Sequence, residues 1–294
     1  MIWQTSRFRI DLSRPQVMGI VNITPDSFSD GGAHATHRAA LVHCEQLLRD
    51  GADILDLGAE STRPGATPVP VAEELERLLP VLREAMRLGV PLSIDSYKPQ
   101  VMRAALELGA DIINDVWALR WQDAAAPLDG RDVVASHPAC GVCLMHMHGE
   151  PRTMQVRPMD GDVLTTVHDF LRDAAQDLRA RGVVQERISL DPGIGFGKTV
   201  AQNFSLLAHQ ASLLDLGYPL LAGWSRKSSL GAVASLPAQS AVPDGQHERM
   251  APSIAAALLA VERGASIVRV HDVRETVQAL KVLAAVQQNA SDAF

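Results

Sequence analysis

Residues 91–115 read PLSIDSYKPQVMRAALELGADIIND. The stretch opens on a short apolar run, PLSID, and closes on another, DIIND. Between them KPQVMRAALELGA carries helical spacing, with Pro99 in the first turn, where a missing N–H costs nothing. Gly109-Ala110 supplies the stop, because glycine takes the left-handed backbone that ends a helix. Near-continuous apolar runs of this length fit strands covered on both faces. The segment is therefore a strand–helix–strand unit of the kind that builds parallel sheets.

The same grammar extends both ways along the chain. Further strand candidates are VMGIV (17–21), DILDL (53–57), VCLMH (142–146), ISLD (188–191), PLLAG (219–223) and IVRV (267–270), giving eight in all. Helical patterns alternate with them. One follows Thr36 as a candidate N-cap; another, 71–89, holds Pro80, which predicts a kink or break. The pattern is weakest over 119–136, where Pro127 and Gly130 interrupt it. Eight strand–helix units in order predict an α/β fold, a single (β/α)8 TIM barrel over residues 16–290. Residues 1–15 form a short N-terminal extension, a hairpin or plug. An open doubly wound sheet is the alternative, and unit count and length favour the barrel. Residues 236–249, LPAQSAVPDGQHER, read as a surface insertion.

Composition narrows the function classes. With 27 basic and 34 acidic residues in 294, the chain lacks the cationic excess of a general nucleic-acid binder. The longest mostly apolar run, SIAAALLAV (253–261), is too short for a membrane span. Three cysteines are too few for a disulfide framework, and the start has no signal-type apolar core, so a cytoplasmic enzyme is expected.

In a barrel, chemistry gathers at the C-terminal strand ends. Here those ends carry Asn22, the GAESTRPGA segment, Asp95, Asn114-Asp115, His146, Asp191, the WSRKSS segment and Arg269-Val270-His271. Asp95, Asn114 and Asp191 suit a planar ligand with donor and acceptor edges. Arg63, Arg226, Lys227, Arg269 and His271 suit phosphate oxygens. The residues alone thus point to a phosphorylated small molecule bearing a polar heterocycle.

Eight segments, MGIVNITPDSFSDGG (18–32), GAESTRPGA (58–66), SIDSYKP (93–99), IIND (112–115), CLMHMHGEPRTMQ (143–155), DPGIGFGK (191–198), GWSRKS (223–228) and RVHDV (269–273), resemble the dihydropteroate synthase family in its order and over the whole barrel. The resemblance implies a transferase of folate synthesis. It joins p-aminobenzoate to 6-hydroxymethyl-7,8-dihydropterin pyrophosphate by an SN1-like route, with sulfonamides competing for the p-aminobenzoate site. It implies pterin binding by Asp95, Asn114, Asp191 and Lys227, and pyrophosphate binding by Asn22, Thr62, Arg63, Arg269 and His271. Phe28, Pro64, Phe196, Lys227 and Ser228 would surround p-aminobenzoate. Mg²⁺ would be held at Asn22, Lys227, Arg269 and His271 would be catalytic, and a homodimer is implied, with the helix at 252–261 a candidate surface. Tyr97 and Trp224 depart from the family's common wording. The rivals are a pterin-binding barrel that transfers a methyl group and a non-catalytic pterin-binding paralogue.

Plainer readings compete at several positions. Cys140-Gly-Val-Cys143 with His146 and His148 has zinc-like spacing, but on a strand Cys143 and His146 fall on opposite faces, so packing thiols are expected. His146 or His148 lines either the pocket or merely the rim. DPGIGFGKT misses a Walker loop because Pro192 stands where the first glycine belongs. Lys227 as a Schiff-base lysine is a further possibility. Asp26 and Asp30 are turn residues or take a metal or gating role. Asp56 and Glu60 read as structural partners of nearby arginines, and Glu73-Glu74-Glu76 as a solvated helix face.

Overall fold

The computed structural model describes residues 1–24, 32–61, 65–123, 127–150, 153, 154, 156–234 and 249–291. A hairpin of β1 (Ile2–Gln4) and β2 (Arg9–Asp11) precedes the barrel. The barrel strands are β3 (Gln16–Asn22), β4 (Ile54–Gly58), β5 (Leu92–Asp95), β6 (Ile112–Asp115), β7 (Gly141–Met145), β8 (Ile188–Asp191), β9 (Leu220–Ala222) and β10 (Ala265–Val270). All are parallel and close in the order β10-β3-β4-β5-β6-β7-β8-β9. The eight expected strands are the eight observed, and the closed ring excludes the open doubly wound sheet.

Around the barrel run α1 (Gly32–Arg49), α2 (Val71–Ala85), α3 (Pro99–Leu108), α4 (Gly130–Ser136), α5 (Val163–Ala180), α6 (Val200–Ala208), α7 (Ser228–Ala234), α8 (Met250–Glu262) and α9 (Val273–Ser291). Two sequence readings need correction. Helix α1 starts at Gly32, so Thr36 lies inside it rather than capping it. Helix α2 continues through Pro80, because Leu78, Val81, Leu82 and Ala85 pack into the core on both sides of it. Helix α6 ends at Ala208, and residues Gln210–Leu216 wind more tightly as a 3-10 helix. The short α7 starts on Ser-Ser-Leu-Gly, which carries no helical period. Among the described residues no helix is long and apolar enough to cross a membrane.

Strand register sorts the barrel interior into layers. Outward side chains such as Val21, Leu55, Ile94, Ile113, Leu144 and Val268 join the large core under the helices. Inward ones stack in tiers of four taken from alternate strands, each two residues beyond the register partner of the last. Met18 pairs with both Arg269 and Ile54; Ser93 pairs with both Asp56 and Ile112; Cys143 pairs with both Asn114 and Ser189. The lowest tier is then Ile54, Ile112, Ser189 and Ile267, and above it lie Met18, Ser93, Cys143 and Leu221. The third tier is wholly polar: Asp56, Asn114, Asp191 and Arg269.

The hairpin seals the opposite end. Trp3, fully buried, packs with Ile10 against Met18, Ile54, Ile112, Cys143, Leu221 and Ile267. Its indole N–H donates to the Arg187 carbonyl at 3.0 Å. Arg7 grips Asp111 with Nε at 3.0 Å and a terminal nitrogen at 2.5 Å, and the same carboxylate accepts the Leu92 N–H. Water is thereby excluded below the polar tier, and the mouth above β3–β10 is the open end.

Candidate active site

Three members of the polar tier, Arg269, Asp56 and Asn114, form a connected network that Asp95 joins, while Asp191 bonds to backbone. Arg269, on β10, donates from Nε to Asp56 Oδ2 and from a terminal nitrogen to Asp95 Oδ2, both at 2.6 Å. Asn114 Nδ2 donates to the same Asp56 oxygen at 3.1 Å. Asp191 Oδ1 accepts the Gly193 N–H at 2.7 Å. Asn22, Gly58, Asp95 and Asn114 occupy one register row across β3 to β6. A Cβ at Gly58 would meet Asp95 only in ordinary van der Waals contact, 3.4 Å from its Cβ.

Burial governs the charges. It pushes the Asp95 carboxyl up to about 7 against the pull of Arg269, with Asp56 and Glu74 adding like-charge repulsion. Asp191 is also raised by burial, opposed by the Gly193 N–H and by Lys227. One oxygen each of Asp56 and Asp95 is buried without a hydrogen-bond partner. Polar atoms in that state are readiest to accept from a ligand.

The loops after β8 and β9 bring the remaining groups. Lys227 lies over the Phe196 ring, with its ammonium 4.2 Å from the centroid. Phe196, Tyr97, Val116, Met145, Met147 and Met154 form an apolar cluster beside the polar tier. His271 is fixed by Ser225, whose hydroxyl lies 3.0 Å from Nδ1 and accepts the His271 N–H. Ser228 stands exposed at the start of α7. Asn114, Asp191, Asp95 and Arg269 thus converge in the barrel mouth, with Lys227 and Phe196 beside Asp191. Phe28, Thr62, Arg63 and Pro64 lie outside the described residues, as do Asp26, Asp30 and residues 236–248.

Some rim cations serve the frame. Arg226, with a backbone φ of +59°, places its guanidinium on Asp272 at 2.7 and 3.2 Å rather than toward a phosphate. Lys198, the near-Walker lysine, turns inward and donates to the carbonyls of His146, Gly193 and Phe196. Gly193 makes that cage possible: at φ +69°, a Cβ would lie 1.9 Å from the His146 carbonyl oxygen. His146 does not line the mouth. Its ring stands edge-on to Phe170 of α5 at 4.9 Å, and burial pushes it down to about 2. His148 is exposed. Cys143 belongs to the barrel floor, whereas Cys140 lies in the outer core against Arg187, so the two thiols do not converge.

Three features escaped the sequence reading. Glu74 is buried, not solvated, and meets the Lys98 ammonium at 2.6 Å; Glu60 binds the same ammonium and accepts the Tyr97 hydroxyl at 2.8 Å. Val116 and Met145 wall the mouth, a position readable only from strand parity. Tyr97 sits edge-on to Trp121 at 5.3 Å, lining with Trp117 and Arg120 a cavity of about 350 Å³ beside the mouth. Trp224 faces outward onto Phe204, 5.4 Å away.

A cluster of carboxylates, an amide and cations in a barrel mouth is chemically suited to a polar planar ligand with an anionic arm. Comparison with known proteins gives this a family. Residues 18–271 match the model described as pterin binding enzyme. The chain is 47% identical over 291 residues, 98% of each chain, to a dihydropteroate synthase of Neisseria meningitidis serogroup C.

The chain belongs to the dihydropteroate synthase family. A Burkholderia cenocepacia dihydropteroate synthase complexed with 7,8-dihydropteroate superposes with a TM-score of 0.84 at 50% identity, covering 99% of this chain and 98% of that one. A Xanthomonas albilineans dihydropteroate synthase with 4-aminobenzoic acid gives 0.86 at 46% identity, covering 98% and 99%. The resemblance carried by the eight segments is therefore borne out, and so is the barrel.

Proposed function

We propose that the chain condenses p-aminobenzoate with 6-hydroxymethyl-7,8-dihydropterin pyrophosphate, giving 7,8-dihydropteroate, pyrophosphate and a proton. The observation that carries this is the polar tier itself, with Asp95 above it and Lys227 beside it. The 2-amino and N3–H edge of a pterin is a flat double donor, which a buried carboxylate such as Asp191 matches. Asn114 offers an amide and Asp95 an unpartnered oxygen to the same ring. Lys227 can donate to the ring's acceptors, and Phe196 gives an apolar face for the aromatic amine. Arg269 and His271 stand on one strand end, where they offset the charge of the pyrophosphate arm.

The C–O bond to pyrophosphate breaks with its electron pair leaving on the phosphate. The positive methylene is delocalised into the electron-rich dihydropterin, and the amine lone pair then forms the C–N bond. The protein needs no nucleophile; it positions both reactants and stabilises charge. Asn22 fits a part-share in Mg²⁺. Its amide oxygen is a hard donor in the row of Asp95 and Asn114, and no group of three or more acidic, His or Cys residues stands ready among the described residues to hold a metal alone. Magnesium keeps waters and takes substrate phosphates, so one protein oxygen suffices. When bound, the ion neutralises pyrophosphate charge.

The test is pyrophosphate release from the dihydropterin substrate. Release is expected only with p-aminobenzoate, to stop with a chelator, and to be suppressed competitively by a sulfonamide. A folded protein that binds pterin without release would favour the non-catalytic paralogue, and methyl transfer from a methylated folate would favour the other rival. Exposed Val233 on α7, Leu259 on α8, and Val282 and Val286 on α9 support a dimer through these successive helices, while Ala256, Ala257 and Ala260 of α8 face their own barrel. Light scattering is expected to give twice the 31.6 kDa chain mass, and a monomeric mass at micromolar protein would count against it.

A further inference from the structure

We infer that Asp56 is a positioning residue of this site, fixing Arg269 and Asn114 with one carboxylate oxygen. The inference rests on the proposed reaction. Asp56 is the fourth member of a tier whose other three, Asn114, Asp191 and Arg269, belong to the substrate-binding set. Its strand neighbours Leu55 and Leu57 face the helices, so Asp56 faces the axis, fully buried. In the ring order, β4 lies two strands from β10 and two from β6. Its carboxylate therefore reaches both partners across the barrel interior and not along a ladder.

The chemistry of the contact is specific. Asp56 Oδ2 accepts from Arg269 Nε at 2.6 Å and from Asn114 Nδ2 at 3.1 Å, while Oδ1 is buried without a partner. A buried ion pair is a poor device for stability alone, since apolar residues of similar volume often do as well. Here the pair does something an apolar residue does not. It sets the plane of the guanidinium, whose other end holds Asp95, and it turns the Asn114 amide so that its oxygen is left for a ligand donor. The charged groups acting on Asp95 are Arg269 on β10, Asp56 on β4, Glu74 on α2 and Lys227 after β9, and Asp115 on β6 interacts with it. Asp56 is the like charge among them that shares Arg269 directly.

Two substitutions separate geometry from charge. In Asp56→Asn the amide oxygen can take the place of Oδ2 and accept both donors, so the acceptor is kept and the charge is lost, while the NH₂ replaces the buried, unpartnered Oδ1. In Asp56→Ala both donors lose their acceptor. We expect kcat/KM for the pterin pyrophosphate to fall about tenfold in Asp56→Asn and about a hundredfold or more in Asp56→Ala. KM for p-aminobenzoate is expected to stay within about twofold of wild type, the scale of ordinary surface changes. Removing the like charge is expected to move the acid limb of the kcat/KM–pH profile to lower pH in Asp56→Asn. Wild-type kcat/KM and an unmoved limb in Asp56→Asn would overturn the inference. So would a loss that follows the unfolded fraction alone. Wild-type protein with no p-aminobenzoate-dependent release would instead overturn the reaction on which the inference rests.

Discussion

Arg269→Ala lowers kcat/KM for the pterin pyrophosphate by about a hundred- to a thousandfold, the range found when one preorganised donor is removed from developing charge. Arg269 is a hub: Nε and one terminal nitrogen are spent on Asp56 and Asp95, and the side chain keeps about a fifth of its surface at the mouth. Its other terminal nitrogen is left to donate to the proposed pyrophosphate arm. Arg269→Lys is expected to recover little, because a point charge cannot bridge two carboxylates and still face a phosphate. Stability moves with pH in a defined sense. Asp95 is already raised to about 7 by burial, with Arg269 as the chief opposing charge. Without Arg269 the carboxyl rises further, so the folded state keeps a proton that the unfolded chain releases near pH 4. The variant then loses stability as pH rises from about 5 to 8. Steady-state kinetics with thermal unfolding at both pH values test this. Activity within tenfold of wild type would remove Arg269 from the catalytic set.

The strands and the inward polar ends were legible because each run is short and its polar residue interrupts an apolar pattern. Asp95, Asn114, Asp191 and Arg269 could be placed on one rim by this alone. What joins them was not legible. Asp56 reads as the partner of some arginine, but its partner stands 213 positions away, and only barrel closure and register bring the two together. Glu74 sits in a run of helix acids that looks uniformly wet; α2's tilt onto the barrel buries it, and nothing local marks Lys98 as its counterion. His146, left open between pocket and rim, is decided by parity: one residue beyond β7 the chain points to the helices, so a strand-end histidine becomes a packing ring. Lys198 agrees with the missed Walker pattern, because the carbonyls of His146, Gly193 and Phe196 claim its ammonium.

Lys98→Met is expected to cost about 3–5 kcal/mol of stability at pH 8, the usual consequence of leaving buried charge unpaired. The Lys98 ammonium is almost fully enclosed, between the carboxylates of Glu60 and Glu74, with the Val69 carbonyl as third acceptor and the Tyr97 ring 5.1 Å away. Methionine preserves length and apolar stem but leaves two carboxylates facing each other without a cation. Burial already raises Glu74, and Lys98 is the main influence holding it down. Without that cation the carboxyl rises further, the folded state takes up a proton the unfolded chain lacks, and the deficit shrinks as pH falls toward 5. The same ammonium ties the Glu60 side chain after β4 to the Val69 backbone before α2, the two feet of the segment that carries Thr62, Arg63 and Pro64. Activity should therefore fall even at temperatures where the variant is fully folded, with the larger effect on KM for the pyrophosphate-bearing substrate. Denaturant unfolding at pH 5 and pH 8 separates charge from packing: a deficit equal at both would mean that the lysine acts through packing, and only a deficit that closes at low pH identifies the buried charge pairing of Glu74 as the source of the stability.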